Sequence, residues 1–372
     1  MNTTPIPRKQ LRAAAFAALL SPLLRTVPRM PVLFAGRDAW LCVLPAAPAL
    51  MLLAAASERL IRAMGPGEGL AELIRRVLGP LFGRVLLLLW GGWLLLYAGF
   101  ILRSGAVRLT AAVYQQSRPA PFYLVLLGIC LAAALGRLGA ILRAGTVLRS
   151  VLLFVLGLTL LLVLPDVSWN NLMPLSVSEA SGVLRGAFSL LAVGGTGAVF
   201  LFLEGCTAKD REGTGRSFPS VAMLLCAAGL LCITSTGVFG PALAARLSYP
   251  YFTMIRDISV SGLAQRFEAL VVALWVAADF MMCSLLLRCA HEALRGLFRL
   301  PSPEGAPALS IRQGRWLLWL EAGAVLLAAG LLAPTPEQYR LWSETLIPGI
   351  MASIVLGTVL LLLLVGGLRK KL

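Results

Sequence analysis

The chain has 372 residues, of which 59% are hydrophobic and only 13% are charged. Soluble domains carry about 25% charged residues, so this composition excludes a soluble globular protein and indicates a single integral membrane domain over residues 1–372. The formal net charge of +16 is almost all arginine in short connectors between apolar runs, which argues against nucleic-acid binding and for a chain surrounded by membrane lipids.

Ten apolar stretches follow one another along the chain, and each is predicted to cross the bilayer as a helix, because backbone amides in lipid need partners within the chain. They cover residues 11–30, 39–61, 81–105, 120–137, 141–164, 184–203, 218–240, 267–290, 314–333 and 343–367. The expected fold class is an all-α membrane protein of ten transmembrane helices. We expect a 5+5 inverted repeat, with about residues 1–165 as the first half and about residues 183–372 as the second.

Helix-breaking residues interrupt the first and the sixth spans, which open the two halves. The breaks are predicted at Ser21-Pro22, where proline removes a donor, and at Gly194-Gly195-Thr196-Gly197. Interrupted spans at matching places are the best sequence indication of a midplane binding site in transporter-like folds. The competing explanation for the glycines is close packing of helices through small residues.

Backbone groups freed at such breaks would suit a small zwitterion. Helix N-termini offer N–H donors to a carboxylate, and loose carbonyls accept from an amino group, so an amino acid is the expected ligand. The candidate ligand site therefore comprises Ser21, Pro22, Leu24, Tyr97, Gly194, Gly195, Thr196, Gly197 and Asp279.

Asp279 is the most conspicuous charge within a predicted span, one turn beyond Trp275. An ionisable group at membrane depth is costly and usually faces protein or water. We expect Asp279 either to pair with Arg103 or Arg149 or to bind a proton or cation. A purely structural buried pair is an equally good reading.

Basic residues set the expected orientation, because connectors rich in Lys and Arg stay in the cytoplasm. Placing Arg8, Lys9 and Arg12 inside gives the cytoplasmic connectors about twice as many basic residues as the external ones. An even number of spans then returns Arg369 and Lys370 to the same side, so both termini are expected to be cytoplasmic. The basic start and the apolar run after it are also typical of a signal peptide, but without a clear cleavage site we expect the first span to be retained.

The remaining reactive side chains give no indication of catalysis. The seven cysteines show no CxxC spacing and are expected to be buried thiols, and the one histidine, His291, is expected at a solvated helix end. No metal, cofactor or catalytic residue is predicted, and a membrane enzyme is the least favoured function. The stretch Leu70–Leu78 is amphipathic and is predicted to lie along the inner membrane surface.

Three motifs in register resemble the B subunits of spore germinant receptors. They are Gly36-Arg37-Asp38-Ala39-Trp40 after the first span, the run Leu138–Leu175 with its LPDVSWNNLMPL ending, and the tract with Tyr249, Pro250, Ile255, Arg256, Ile258, Arg266, Glu268 and Trp275. The resemblance covers nearly the whole chain. Relatives commonly have glycine at the first-helix break, where this chain has Ser21-Pro22.

The resemblance implies a ten-span protein related to the amino acid/polyamine/organocation transporters. Such a subunit works with an A subunit and a lipoprotein C subunit in the inner membrane of the spore. It is expected to bind a small-molecule germinant, often an amino acid, and so to trigger germination. The alternative is a secondary amino acid transporter that uses the same pocket with proton or sodium coupling.

Overall fold

The computed structural model describes residues 6–112, 114, 116–173, 180–208, 217–256, 264–298 and 315–369, which are nearly all helical. Ile258 and the side chains of Arg266 and Glu268, which belong to the third motif, lie outside the described residues. The α-helices are α1 (Arg8–Thr26), α2 (Met30–Ala35), α3 (Val43–Ala63), α4 (Leu70–Leu78), α5 (Pro80–Ala112), α6 (Ala120–Leu135), α7 (Leu138–Val163), α8 (Ala180–Gly195), α9 (Ser217–Arg246), α10 (Pro250–Arg256), α11 (Ala264–Phe298), α12 (Arg315–Leu331), α13 (Pro336–Leu341) and α14 (Ile347–Leu368).

A helix occupies each of the ten predicted spans. By length and composition, seven helical stretches of the described chain are apolar and long enough to cross a membrane, and the first of them, Arg8–Ala63, contains α1 to α3. Helices α6 and α12 are apolar but shorter. The prediction of an almost entirely helical membrane protein is confirmed.

The predicted break at Ser21-Pro22 is wrong, because α1 continues as an α-helix through both residues to Thr26. Proline removes one backbone donor, but its fixed φ is compatible with a helix, and the turns on either side persist here. The interruption comes at Val27–Arg29, before α2 begins at Met30. Pro28 lies within this turn and Pro31 follows it, so two backbone donors are missing within four residues.

The second predicted break is a change of helix type and not an opening of the chain. Helix α8 ends at Gly195, whose φ of −61° and ψ of −29° are helical, and a 3₁₀-helix runs from Thr196 to Cys206. The Thr196 hydroxyl donates to the carbonyl of Ala192 at 3.0 Å, which holds the junction. Such a long 3₁₀ run is unusual and marks a strained stretch.

Small residues let the long helices approach closely, as expected where helices associate in lipid. Helix α5 packs along α11 and α12. A Cβ at Gly99 of α5 would lie 2.5 Å from Ala328 Cβ and 2.9 Å from the carbonyl oxygen of Val325, both on α12. A Cβ at Gly145 of α7 would lie 2.5 Å from Ala14 Cβ of α1. These contacts fix the crossings around which the polar residues gather.

Polar contacts define two ends of the helix bundle. At the first, hereafter the Arg8 end, Arg8 pairs with Glu204 at 3.0 Å, and Arg369 donates to the carbonyl of Val77 at 2.9 Å. At the opposite end, the Arg29 end, Arg29 joins the turn after α1 to Glu344 at 2.5 Å. Glu344 belongs to a π-helical segment, Trp342–Leu346, that leads into α14.

The predicted amphipathic stretch Leu70–Leu78 is helix α4, and Glu72 caps its start by accepting from the amide of Gly69 at 3.0 Å. Its position along the inner membrane surface stays a prediction. Helix α9 is bent by Gly240, whose φ of 70° is left-handed, with Pro241 directly after it. The bend turns the chain towards α10 and the polar residues described next.

Candidate functional site

Asp279 lies at the centre of the bundle on α11, with only 1% of its surface exposed. The Ser21 hydroxyl of α1 donates to Asp279 Oδ1 at 2.5 Å, and Arg108 of α5 forms an ion pair with Oδ2. The expectation that Asp279 pairs with Arg103 or Arg149 is therefore wrong. Arg103 instead donates to the carbonyls that end α12, including that of Ala333 at 3.0 Å. Asp279 thus joins three helices through a buried, charge-neutral pair.

Arg108 extends this pair into a wider polar network. Its Nη1 donates to the hydroxyl of Ser104 at 3.1 Å, and Ser104 shares a 2.7 Å hydrogen bond with the hydroxyl of Tyr339. The guanidinium also lies 4.2 Å from the ring centroid of Trp275, a cation–π contact. The network connects the bundle centre to the Arg29 end, where Tyr339 is placed by α13.

Three of the predicted site residues meet around a small cavity of about 10 Å³. This floor cavity is lined by Pro22, Tyr97 and Thr196, and also by Arg25. The Tyr97 hydroxyl interacts with both Arg25 and Thr196, so α1, α5 and the start of the 3₁₀-helix converge here. Ser21 and Asp279 lie directly alongside, since Ser21 precedes Pro22 on α1.

Arg25 has an unusual environment. Only 6% of its surface is exposed, its guanidinium lies 5.0 Å from the ring centroid of Phe100, and its buried Nε and Nη1 atoms have no hydrogen-bond partner. Buried charged donors without acceptors are costly. Arg25 lies within the predicted first span, residues 11–30, but is not among the nine predicted site residues.

Above the floor cavity, a cavity of about 420 Å³ occupies the Arg29 end. The two cavities share Arg25, Thr26 and Ser343 as lining residues. This vestibule is within the size range of small-molecule pockets, about 300–1,000 Å³. Its charged lining residues are Arg25, Arg29, Arg103, Arg340 and Glu344.

Tyr249, in the connector after α9, also lines the vestibule. Burial, and next the neighbouring Tyr339, raise the pKa of Tyr249 well above its usual value. Tyr249 therefore contributes a neutral side chain at physiological pH. Its ring packs edge-to-face on Trp275, with centroids 6.2 Å apart, which links the vestibule wall to the Arg108 network.

The other predicted site residues lie apart from this group. Gly194 and Gly197 line a separate, mostly apolar cleft of about 140 Å³ between α1, α3, the 3₁₀-helix and α9. A Cβ at Gly195 would meet Leu53 at 3.6 Å, in ordinary contact, and Leu24 is buried in the core. The nine predicted residues therefore do not form one pocket.

Helices are tied together at the Arg8 end, below both cavities. The Arg8–Glu204 ion pair joins α1 to the end of the 3₁₀-helix, and the Ala208 amide donates to the carbonyl of Ile6 at 2.9 Å. Glu204 and Arg8 are both largely buried. The described shape is therefore open to the vestibule and held together at the opposite end.

His291 is not at a solvated helix end, contrary to the expectation. It is fully buried on α11, and its Nδ1 lies 3.2 Å from Oε1 of Glu321 on α12. The cysteine prediction is correct for five of the seven thiols, but Cys206 and Cys226 are exposed. All seven are free.

Solved structures with a similar fold include several of a manganese transporter from Eremococcus coleocola. One mutant form has a TM-score of 0.57 at 14% identity, with 96% of this chain and 77% of that chain covered. The transporter in complex with an aromatic bis-isothiourea substituted compound has a TM-score of 0.58 at 14% identity, with 94% and 76% covered. Identity this low establishes the fold alone, a transporter-like one.

Among the described residues, no group of three or more His, Cys, Asp and Glu side chains is arranged to hold a metal ion.

No curated protein matches the chain at a significant level. Residues 9–311 match the sequence model of a family described as spore germination protein, which is most of the chain. This match confirms the resemblance that the motifs indicated.

Proposed function

The chain belongs to the spore germination protein family, and from this premise we propose that it is the germinant-binding membrane subunit of a spore germinant receptor. It works with A and C subunits in the inner membrane of the spore. It carries out no catalytic chemistry. A small-molecule germinant shifts it between two shapes, which requires that the ligand bind one of them more tightly.

We further propose ten membrane crossings arranged as two inverted halves of five. Arg8–Ala63 is 56 residues long, enough for two crossings, and α6 and α12 complete the set with the six other long spans. The interruption at Val27–Arg29 and the change of helix type at Gly195 would then occupy corresponding places in the two halves. The positive-inside rule assigns the Arg8 end to the cytoplasm, and the vestibule then faces outward.

The germinant site proposed here is the inner end of the vestibule, where Arg25 lies between the vestibule and the floor cavity. The observation that carries this proposal is Arg25, a buried cation with two unpartnered donor atoms between the two cavities. A carboxylate is the natural partner of such a guanidinium, because the pair forms two parallel charge-assisted hydrogen bonds. An amino acid, bound by its carboxylate near Pro22, Tyr97 and Thr196, is the first ligand class to test. In this proposal the side chain of Arg25 binds the carboxylate, whereas the sequence predicted that free backbone N–H groups would do so.

The reconstituted full chain provides the direct test. Binding of a panel of amino acids is measured for wild type and for Arg25→Gln, Arg25→Lys and Arg62→Gln. Arg25→Gln should weaken binding by at least about tenfold, because a desolvated charge pair is lost. Arg25→Lys should restore it only in part, since lysine lacks the planar fork.

Arg62→Gln is the matched control, because it removes the same charge from a side chain that is 60% exposed and lines neither cavity. In spores that carry the chain with its A and C subunits, Arg25→Gln should abolish germination at normal receptor levels. Wild-type affinity in Arg25→Gln would refute the proposed site.

The likeness to a manganese transporter over 94–98% of this chain favours a second candidate, secondary transport of an amino acid with proton or sodium coupling. Both candidates use the same cavities. Uptake of a bound amino acid into proteoliposomes along an imposed proton or sodium gradient would favour the transporter. Binding without uptake would favour the receptor.

A further inference from the structure

The vestibule has a strong charge imbalance. Its charged lining residues are four arginines and one glutamate, a net formal charge of +3 around a cavity of about 420 Å³. Clefts lined by one sign of charge concentrate field lines and raise the local concentration of oppositely charged solutes. A ligand that enters this cavity is therefore selected by its charge.

Glu344, the one carboxylate among the described lining residues, is already engaged by arginines, and so is Asp279 deeper in the bundle. Glu344 Oε1 accepts from Arg29 at 2.5 Å and lies 3.6 Å from Arg340 Nε. Asp279 is held by Arg108 and Ser21 at the bundle centre. An ammonium group that entered the vestibule would find repulsion from the arginines and would compete with existing ion pairs for either carboxylate.

The arginines, in contrast, are not fully used. Arg25 has two unpartnered nitrogen atoms, and the side chain of Arg340 is 63% exposed with only the 3.6 Å contact to Glu344. Arg340 stands on α13 and lines the cavity. The vestibule therefore offers one buried and one exposed guanidinium to the same molecule.

From these observations, and resting on the function proposed above, we infer that the germinant carries a net negative charge. The class is an acidic amino acid or a dicarboxylate, with one carboxylate at Arg25 and the second at Arg340. A neutral amino acid satisfies only the first of these contacts. A cationic amine satisfies neither.

Pairs of ligands that differ only in charge test this inference on the reconstituted full chain. The pairs are L-aspartate with L-asparagine, L-glutamate with L-glutamine, and succinate with succinamate. In at least one pair the more acidic member should bind about tenfold tighter or better, since one additional charge pair contributes on this order. Its advantage should shrink as ionic strength rises.

Arg340→Gln should reduce the preference within that pair and leave the binding of the amide member unchanged. Arg62→Gln, the control at a residue that lines neither cavity, should leave the preference intact. Equal affinities within every pair, or a preference that survives in Arg340→Gln, would overturn the inference. If amides still bind and lose affinity in Arg25→Gln, the proposed site stands while the charge requirement fails. If no member of the panel binds wild type, both are overturned.

Discussion

Replacing Asp279 by Asn tests whether the central ion pair stabilises the bundle. Asn keeps the shape of the side chain and an oxygen that accepts from Ser21, but it leaves Arg108 buried without a counter-charge. Asp279 is 1% exposed and the Arg108 side chain 8%, so the pair is buried. Removing one partner of such a pair costs about 3–5 kcal/mol. We therefore expect a large fall in the free energy of unfolding for Asp279→Asn.

The size of the effect is judged against an ion pair with one exposed partner. Arg62 and Glu58 lie 3.9 Å apart, and the side chains are 60% and 6% exposed. Because Glu58 also accepts from the amide of Ser217 at 3.0 Å, Arg62→Gln should cost no more than about 1 kcal/mol. Five cysteines are buried, and a fluorogenic maleimide that reacts with them as the protein unfolds reports the unfolding midpoint in detergent.

The double variant Asp279→Asn with Arg108→Gln distinguishes the cost of losing the ion pair from the cost of leaving one charge buried without a partner. Because it removes both charges, it should cost less than the two single variants together, by about 1–3 kcal/mol. Strictly additive costs would refute the reasoning, as would an Asp279→Asn midpoint no lower than that of Arg62→Gln.

Three further predictions concern packing, the junction of α8 with the 3₁₀-helix, and the buried Tyr251 of α10. Gly99→Ala should lower the unfolding midpoint, because its Cβ would lie 2.5 Å from Ala328 Cβ of α12. The control is Gly92→Ala on the same helix, whose Cβ meets nothing within 4 Å and which should be neutral or slightly stabilising. Equal midpoints for the two variants would contradict the packing. Gly195→Leu should abolish the germinant response without preventing membrane insertion, because the leucine side chain overfills the junction. In Gly195→Ala the added Cβ stays in ordinary contact with Leu53, so this variant should respond. A normal response in the leucine variant would count against a role for the junction. Burial raises the pKa of Tyr251 from 10.0 to about 12, so the stabilisation that its neutral hydroxyl gives the folded state should be complete below pH 10 and disappear as the pH rises to about 12. Tyr251→Phe, which also removes the 2.8 Å hydrogen bond to Thr159, should therefore make the unfolding midpoint fall less steeply over this pH range. An unchanged slope in a pH series of unfolding midpoints would refute the assignment.

Hydropathy was sufficient to place the helices, because lipid leaves the backbone few alternatives to a helix. The prediction from hydropathy failed where a helix continues beyond its apolar run into polar residues. The third span was predicted to end at residue 105, but α5 continues to Ala112 and brings Arg108 into the bundle. Arg108 was therefore not considered as a partner of Asp279, and a separation of 171 residues gives no local signal for the pair.

The breaks show a second limit of sequence reasoning. Pro22 fits within a helix, so a proline alone does not locate an interruption. The glycines after Val193 permit an open chain, but they equally permit a tighter helix, and the sequence does not distinguish the two. Arg25 did carry a usable signal, an arginine one turn after Ser21 in an otherwise apolar run.

The contacts that hold the Arg8 end together have a consequence for the path of a solute through the protein. A solute that descends from the Arg29 end arrives at a dead end, since the Arg8–Glu204 ion pair and the backbone bond between Ile6 and Ala208 hold the far side together. Crossing would require both ties to break, whereas arrival requires neither. Under the receptor function proposed above, a spore would thus register a molecule outside without losing its own contents through this protein.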